Sequence, residues 1–250
     1  MQNPFVWHDL ATTDVEAAKA FYQKVVGWTF SRQSPEYEVA LVGEVGVGGI
    51  MELPSHLKGM PPFWSGYVFT PDVDAACKRV KELGGTVHRE PWDIPGTIRM
   101  AVIADPGGAV LHIMQPLSKE ECTSPAEGAP GTVGWNELHA GNLDQAWDFY
   151  SGMFGWTKGY AHAMGEKFGV YQIFQIGGKD VGGMMRKMDE MPHPVWLYYF
   201  IVDGIDAAAD RVREAGGQTV MGPHQVPGGQ WILQGLDPQG GYFSLLSNTK

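Results

Sequence analysis

The sequence contains few cysteines, no long apolar segment and no excess of positive charge. Its two cysteines, Cys77 and Cys122, are too few for a disulfide framework and fit a reducing compartment. No apolar run approaches the roughly 20 residues that cross a bilayer. Residues 1–7 lack the charged and apolar regions of a signal peptide. We therefore expect a cytoplasmic protein with no membrane partner.

Several motifs of common function classes are also missing. The net charge of −10 comes without a basic patch, which argues against a nucleic-acid partner. The G-x-S-x-G elbow, the P-loop and the glycine fingerprint of dinucleotide-binding folds do not occur. The chain does have 250 residues with 44% hydrophobic content, which is enough for two globular cores.

The most informative feature present is an internal repeat. Residues 7–29 read WHDLATTDVEAAKAFYQKVVGWT, and residues 135–157, at an offset of 128, read WNELHAGNLDQAWDFYSGMFGWT. Further along, the offset becomes 132, and it relates Trp64 to Trp196 and Asp105-Pro106 to Asp237-Pro238. The change of offset implies small insertions and hence an old duplication. We predict an N-terminal domain over 1–118, a linker over 119–132 and a C-terminal domain over 133–250.

Each repeat is predicted to hold two βαβββ units, which gives an α+β fold with four such units. In the first unit, a strand-like segment precedes Thr13-x-x-Glu16, which has the form of a capping box. Apolar residues then follow at helical spacing until Gly27, which can end a helix. A second predicted helix covers residues 72–83 and ends at a glycine pair, and the segment 105–108 predicts a turn.

This combination of motifs resembles the vicinal oxygen chelate superfamily. The motifs are W-x-[DE]-L, a helix ending in F-Y-x4-G-W, V-G-G-[IM]-M, a helix ending in G-G, and D-P-x-G before the last strand. The superfamily includes glyoxalase I, bleomycin-resistance proteins and extradiol dioxygenases, and the chain looks most like its tandem two-domain members. The resemblance implies a cup-shaped mixed sheet in each domain, but it leaves the function to be argued from the site.

In the metalloenzymes of this family, four strands of each domain supply the ligands of a divalent metal. The resemblance places these positions at Trp7, Glu52, Ser65 and His112, and in the second repeat at Trp135, Arg186, Leu197 and Ser244. Indole nitrogen only donates hydrogen bonds, and arginine stays protonated. We therefore expect no cofactor and no metal in the C-terminal cup.

The N-terminal cup leaves two alternatives open. Glu52 and His112 either hydrogen-bond each other or hold a single divalent metal, with Asp9 as a conceivable third ligand. Neither cup has the two histidines and one carboxylate of an extradiol iron site, so that activity is not expected.

Aromatic residues with a few polar groups dominate the predicted inward faces, as in small-molecule pockets. The predicted ligand-binding residues are Trp7, Asp9, Glu52, Tyr67, His112, Trp135, Tyr199 and Tyr242. The same pattern also fits an ordinary core, in which the cups are collapsed.

Glu137, His139 and Arg186 form the candidate catalytic group. Glu137 and His139 are two residues apart on one predicted strand, so their side chains share a face. With Arg186 opposite them, they could bind an anion or transfer a proton at carbon. The alternative is a Glu137–Arg186 salt bridge beside a histidine with no role.

Together these observations predict a protein that binds a small metabolite or toxic aromatic compound without the family metal. Whether it also isomerises the bound compound stays open at this point. Two alternatives stay open. One is a lyase or isomerase of the lactoylglutathione lyase type with one metal in the N-terminal cup, and the other is a non-catalytic drug-sequestering or scaffold protein. The expected partner is a small molecule, and the chain is expected to be a monomer or a homodimer.

Overall fold

The computed structural model describes residues 3–118, 125–166 and 168–250, and it confirms the α+β fold with two eight-stranded mixed sheets. The first repeat contains β1 (Phe5–Thr12), α1 (Val15–Val26), β2 (Thr29–Ser34), β3 (Tyr37–Val42), β4 (Val45–Glu52), a 3-10 turn (Ser55–Leu57), β5 (Phe63–Phe69), α2 (Val73–Glu82), β6 (Thr86–Ile94), β7 (Ile98–Ala104) and β8 (Val110–Pro116). The second repeat contains β9 (Val133–Ala140), α3 (Leu143–Phe154), β10 (Thr157–Ala163), β11 (Val170–Ile176), β12 (Lys179–Arg186), β13 (Val195–Ile201), α4 (Ile205–Glu214), β14 (Gln218–Gln225), β15 (Trp231–Leu236) and β16 (Tyr242–Ser247).

The two sheets have the same strand order. It is β2-β3-β4-β1-β5-β8-β7-β6 in the first repeat and β10-β11-β12-β9-β13-β16-β15-β14 in the second. The strands β1 and β4 pair in parallel, as do β5 and β8, because a helix or a longer connection separates the strands of each pair. No helix within the described residues is long and apolar enough to cross a membrane.

Capping hydrogen bonds mark both ends of α1, and the sequence predicts the C-terminal end correctly but not the N-terminal one. Asp14, rather than the expected Thr13, is the N-cap, and its carboxylate accepts a hydrogen bond from the Ala17 amide. The prediction of a Thr13–Glu16 capping box is therefore wrong, because the helix starts one residue later. At the other end Gly27 takes a left-handed conformation with φ of 91°, as predicted.

The chain folds into two compact units, and each unit is built from both repeats. One unit contains residues 1–7, 66–121 and 136–197, and the other contains 8–65, 122–135 and 198–250. The predicted domain boundaries at 118 and 133 stay a prediction. Residues 119–124 of the predicted linker, including Cys122, lie outside the described residues.

Each unit contains a buried hydrogen-bonded chain of tryptophan, tyrosine and aspartate. In one unit, the Trp64 indole donates to the Tyr22 hydroxyl at 3.1 Å, and that hydroxyl donates to Asp237 at 3.1 Å. In the other unit, the Trp196 indole donates to Tyr150 at 3.0 Å, and Tyr150 in turn hydrogen-bonds Asp105. The tyrosines belong to the F-Y pairs and the aspartates to the D-P turns, so these sequence motifs are explained by packing inside the units.

Burial raises the pKa of both aspartates above the usual range of a carboxyl group. For Asp237 the backbone amide of Gly241 and the Tyr22 hydroxyl oppose this rise, because hydrogen bonds favour the charged form. Burial likewise raises the pKa of the Tyr22 hydroxyl well above its ordinary value, with Asp237 as the second cause.

Candidate functional site

Both repeats place a carboxylate on their first strand in contact with a tyrosine from their third strand. The Tyr37 hydroxyl donates to Asp9 Oδ1 at 2.6 Å, and the Tyr171 hydroxyl donates to Glu137 Oε2 at 2.7 Å. Asp9 is buried, and Glu137 is partly buried. Both carboxylates were predicted from the sequence as site residues, whereas neither tyrosine was.

A glycine makes each carboxylate–tyrosine contact possible. Gly49 is the strand partner of Asp9, and a Cβ there would overlap the Tyr37 hydroxyl. Gly183 is the strand partner of Glu137, and a Cβ there would overlap the Tyr171 ring. The second glycine of the V-G-G motif is therefore the sequence signal that could have identified the tyrosines, because it marks a close approach of another side chain.

The second repeat adds a histidine to its carboxylate. His139 Nε2 lies 2.9 Å from Glu137 Oε1, and the two side chains are only 9% and 12% exposed. This agrees with the expected shared face of Glu137 and His139. An ionised carboxylate can only accept a hydrogen bond, so Nε2 carries the proton when the imidazole is neutral. The lone pair then belongs to Nδ1, which is buried and has no hydrogen-bond partner among the described residues.

The first repeat has no counterpart of this histidine. The position 128 residues before His139 is Ala11, which follows Asp9 on β1 as His139 follows Glu137 on β9. The two repeats thus share the carboxylate and the tyrosine but differ in the basic group. The second repeat alone presents an oriented imidazole at this position.

Arg186 does not lie where the sequence pattern placed it. It is the strand partner of Ala140, whereas Glu137 and His139 are the partners of Gly183 and Met185. Since side chains alternate along a strand, Arg186 points to the face opposite Glu137 and His139. Its side chain is 67% exposed and pairs with Asp189 at 2.7 Å. The expected grouping of Arg186 with Glu137 and His139 is therefore wrong by one residue of register.

The same one-residue error affects Glu52. It is the strand partner of Thr12, and the partners of Asp9 and Ala11 on β4 are Gly49 and Met51. Glu52 is exposed and shares its face with Ile50, opposite the face of Asp9. The predicted role of Glu52 beside Asp9, as a ligand of a metal or of a small molecule, is therefore not supported by the register.

The residues at the family's metal positions fit a metal poorly. In the first repeat, the strand register places Met51, and not Glu52, on the face of Asp9. The other metal positions are occupied by Trp7, Ser65 and His112. In the second repeat, Trp135 and Leu197 offer no lone pair for a metal, and Met185 takes the place of Arg186 on the face of Glu137 and His139. The described residues contain no group of three or more His, Cys, Asp or Glu side chains arranged for a metal ion.

Tyr67 and His112 lie side by side on β5 and β8. They are strand partners, and their rings stack with centroids 4.3 Å apart and planes 11° from parallel. Burial, assisted by the charge of Arg89, lowers the pKa of His112 to about 4. The imidazole is therefore neutral at physiological pH, and its buried Nδ1 has no hydrogen-bond partner within the described chain.

Tyr199 and Tyr242 belong to a hydrogen-bonded cluster in the second repeat. The Tyr242 hydroxyl donates to Gln234 Oε1 at 2.5 Å, and Gln234 Nε2 donates to the Tyr199 hydroxyl at 2.6 Å. Ser244, the strand partner of Tyr199, is buried. Gln234 was not predicted from the sequence, because nothing in its local sequence marks it. The remaining predicted residues, Trp7 and Trp135, are partly buried on β1 and β9.

Comparison with known proteins gives matches over almost the whole chain. The model of the Glyoxalase/Bleomycin resistance protein/Dioxygenase superfamily matches residues 4–113 and again residues 132–244. A Mycobacterium tuberculosis protein named "Putative glyoxylase CFP32" is 34% identical over 248 residues, which cover 96% of this chain and 93% of the relative. The anthracycline biosynthesis protein DnrV of Streptomyces peucetius is 32% identical, with coverage of 96% and 91%.

A solved structure of the same fold is the Mn(II)-bound glyoxalase from Novosphingobium aromaticivorans. It matches with a TM-score of 0.69 and covers 100% of this chain and 82% of its own. At 17% sequence identity this similarity concerns the fold alone.

Proposed function

Since the chain belongs to the glyoxalase/bleomycin resistance protein/dioxygenase superfamily, we propose that it binds a small carbonyl or aromatic compound and shifts a proton on it without the family metal. His139 is the proposed base, and Glu137 is a positioning residue that orients it. The proposed setting is the cytoplasm.

One observation carries this proposal, namely that both oxygens of Glu137 are engaged. His139 Nε2 lies 2.9 Å from one oxygen and the Tyr171 hydroxyl lies 2.7 Å from the other. A carboxylate held in this way fixes the ring orientation and the tautomer of the histidine. The lone pair of Nδ1 is then the group that can accept a proton.

The proposed step is an isomerisation. Nδ1 of His139 removes a proton from a carbon next to a carbonyl group, and the electron pair moves towards the carbonyl oxygen. The imidazolium, stabilised by Glu137, then returns the proton to a neighbouring atom of the same molecule. The atoms and electrons balance without an oxidant or a second substrate.

The chemistry of the metal positions supports a reaction without a metal. In the second repeat, Trp135 and Leu197 cannot ligate a cation, and the register places Met185 rather than Arg186 on the face of Glu137 and His139. In the first repeat, Glu52 points away from the face of Asp9, which removes the carboxylate of the alternative metal site. We accordingly propose no resident cofactor.

The choice of probes follows from the relatives. One relative is named for anthracycline biosynthesis and another as a glyoxylase. We therefore propose daunorubicin, a polycyclic quinone, as the binding probe. The hemithioacetal of methylglyoxal and glutathione is the probe for proton transfer.

The binding experiment follows the fluorescence of daunorubicin during titration with EDTA-treated protein. We expect a saturable change in the wild type, because the predicted aromatic faces offer stacking surfaces. A signal that never saturates would contradict ligand binding of this class.

The proton-transfer experiment follows deuterium incorporation into the hemithioacetal carbon by NMR in D2O. We expect exchange that falls by about 10²–10⁴-fold in the variant His139→Ala, which gives the second repeat the alanine of the first. His193 is exposed, so His193→Ala is the matched control and should keep the full rate. Equal exchange in wild type and His139→Ala would refute the role of His139.

A further inference from the structure

Four side chains form a row across four strands in the second βαβββ unit of the first repeat. Tyr67 on β5 is the partner of His112 on β8, His112 is the partner of Val102 on β7, and Val102 is the partner of Arg89 on β6. Because strand partners point to the same face, these side chains line one surface. With strands about 4.8 Å apart, about 10 Å separates the backbone positions of His112 and Arg89.

A second row continues this surface beside the first. It contains Met114 on β8, Met100 on β7 and Trp92 on β6, which are successive strand partners. Methionine side chains adapt to the shape of a neighbouring group, and their sulfur atoms make favourable contacts with aromatic rings. The surface between the histidine and the arginine is therefore apolar and suited to a flat ring system.

Arg89 supplies the positive charge at one end of the surface. Its guanidinium lies 3.6 Å above the ring of Trp92. The side chain is exposed, and it forms no ion pair with a carboxylate within the part of the chain that the structure describes. The neighbouring Glu90 pairs with Lys81 at 2.9 Å. Stacking on Trp92 restricts the guanidinium while its N–H groups remain available to an anion.

His112 lies between Tyr67 and Val102 in the first row. The ring lies flat against Tyr67, and its buried Nδ1 has no hydrogen-bond partner among the residues that the structure describes. Among the four residues of the first row, Arg89 is the one whose side chain carries a permanent positive charge.

We propose that this surface, which we call the Arg89 face (Tyr67, His112, Val102, Arg89, Met100 and Trp92), binds a planar aromatic carboxylate. The rings of the ligand lie over Val102, and its carboxylate accepts hydrogen bonds from Arg89. The face shares no residue with the Glu137–His139–Tyr171 group, so this proposal stands independently of the proposed proton transfer.

The second repeat supplies an internal comparison. The corresponding row there is Tyr199, Ser244, Gln234 and Met221. Methionine replaces the arginine, and Gln234 fills the middle of the row with hydrogen bonds to Tyr199 and Tyr242. The four residues of this row include no cation, and Gln234 binds Tyr199 within it. Anion binding is therefore expected in the first repeat and not in the second.

Isothermal titration of the full chain with 2-naphthoate and with its neutral analogue 2-naphthamide tests the proposal. We expect saturable binding of naphthoate at one site, with naphthamide on the order of tenfold weaker because it lacks the charge-assisted hydrogen bonds. In Arg89→Met, which carries the residue of the second repeat, the two compounds should bind equally. In Arg89→Lys the preference for the anion should be partly retained, since the charge remains but the planar fork is lost.

Two further variants keep the test specific. Met221→Leu changes the corresponding position of the second repeat and should leave naphthoate binding unchanged. His139→Ala should also leave it unchanged, which separates this site from the proposed base. Absence of saturable naphthoate binding, equal binding of naphthamide, or wild-type preference in Arg89→Met would each overturn the proposal.

Discussion

The substitution Tyr22→Phe should cost stability well beyond the loss of one hydroxyl group. Tyr22 is fully buried, accepts a hydrogen bond from the Trp64 indole and donates one to Asp237. Phenylalanine fits the same space but leaves a donor on Trp64 and an oxygen of Asp237 without this partner. A buried polar group left unsatisfied costs about 1–3 kcal/mol. Because Trp64 is only partly buried, we expect a total loss of about 2–3 kcal/mol.

The assay is urea unfolding followed by far-UV circular dichroism, with the free energy extrapolated to water. Tyr150→Phe provides a second measurement of the same effect, because Tyr150 links Trp196 to Asp105 in the other unit. Tyr160 is 70% exposed, and Tyr160→Phe is the control, with an expected change within about 0.5 kcal/mol. If Tyr22→Phe costs no more than Tyr160→Phe, the buried chain does not stabilise the fold and the reasoning is refuted.

Three further predictions follow from burial and close packing. Asp237 has a raised pKa when folded, so the folded protein holds this proton more tightly than the unfolded chain does, and stability from this group falls as pH rises above its ordinary value of 3.8. Relative to Asp237→Asn, the wild type should therefore lose unfolding free energy as the pH rises above 3.8, and a constant difference in urea titrations would contradict this. Gly183→Ala should cost about 1–3 kcal/mol in the same assay because the new Cβ displaces the Tyr171 ring, and an unchanged midpoint would be inconsistent with that overlap. Burial raises the pKa of the Cys77 thiol to about 11, so iodoacetamide at about pH 8 should alkylate it about a hundredfold more slowly than in urea, as measured by mass spectrometry of its peptide.

The fold could be predicted from the sequence because several independent features of the sequence indicate the same helices and strands. The repeat aligns one half with the other, and the glycine at position 27 ends α1 as expected, with φ of 91°. A displacement by one residue, as between Thr13 and Asp14 at the start of α1, leaves the helix and its buried face intact. Helix and strand assignments therefore tolerate small errors of position.

The candidate site tolerates no such error. Side chains on a strand alternate between faces, so a shift of one residue moved Glu52 and Arg186 to the wrong side of their strands. Residues two apart on one strand, such as Glu137 and His139, escape this problem because their relative orientation does not depend on the register. The partners Tyr37 and Tyr171 come from other strands, and only a tertiary structure brings them to their carboxylates.

The duplication also separates residues that maintain the fold from residues that supply chemistry. A contact present in both repeats, such as Tyr37 with Asp9 and Tyr171 with Glu137, is explained by the common architecture. It needs no ligand to account for it.

A group present in one repeat alone has no such explanation, because the other repeat folds in the same way without it. His139 corresponds to Ala11, and Arg89 corresponds to Met221. Both are groups that a ligand can use, one a lone pair on an oriented imidazole and the other a guanidinium held against an indole ring. The two repeats have thus acquired different chemistry on one scaffold, and we expect Arg89→Met, at an exposed position, to alter function while leaving the unfolding free energy within about 1 kcal/mol of the wild type.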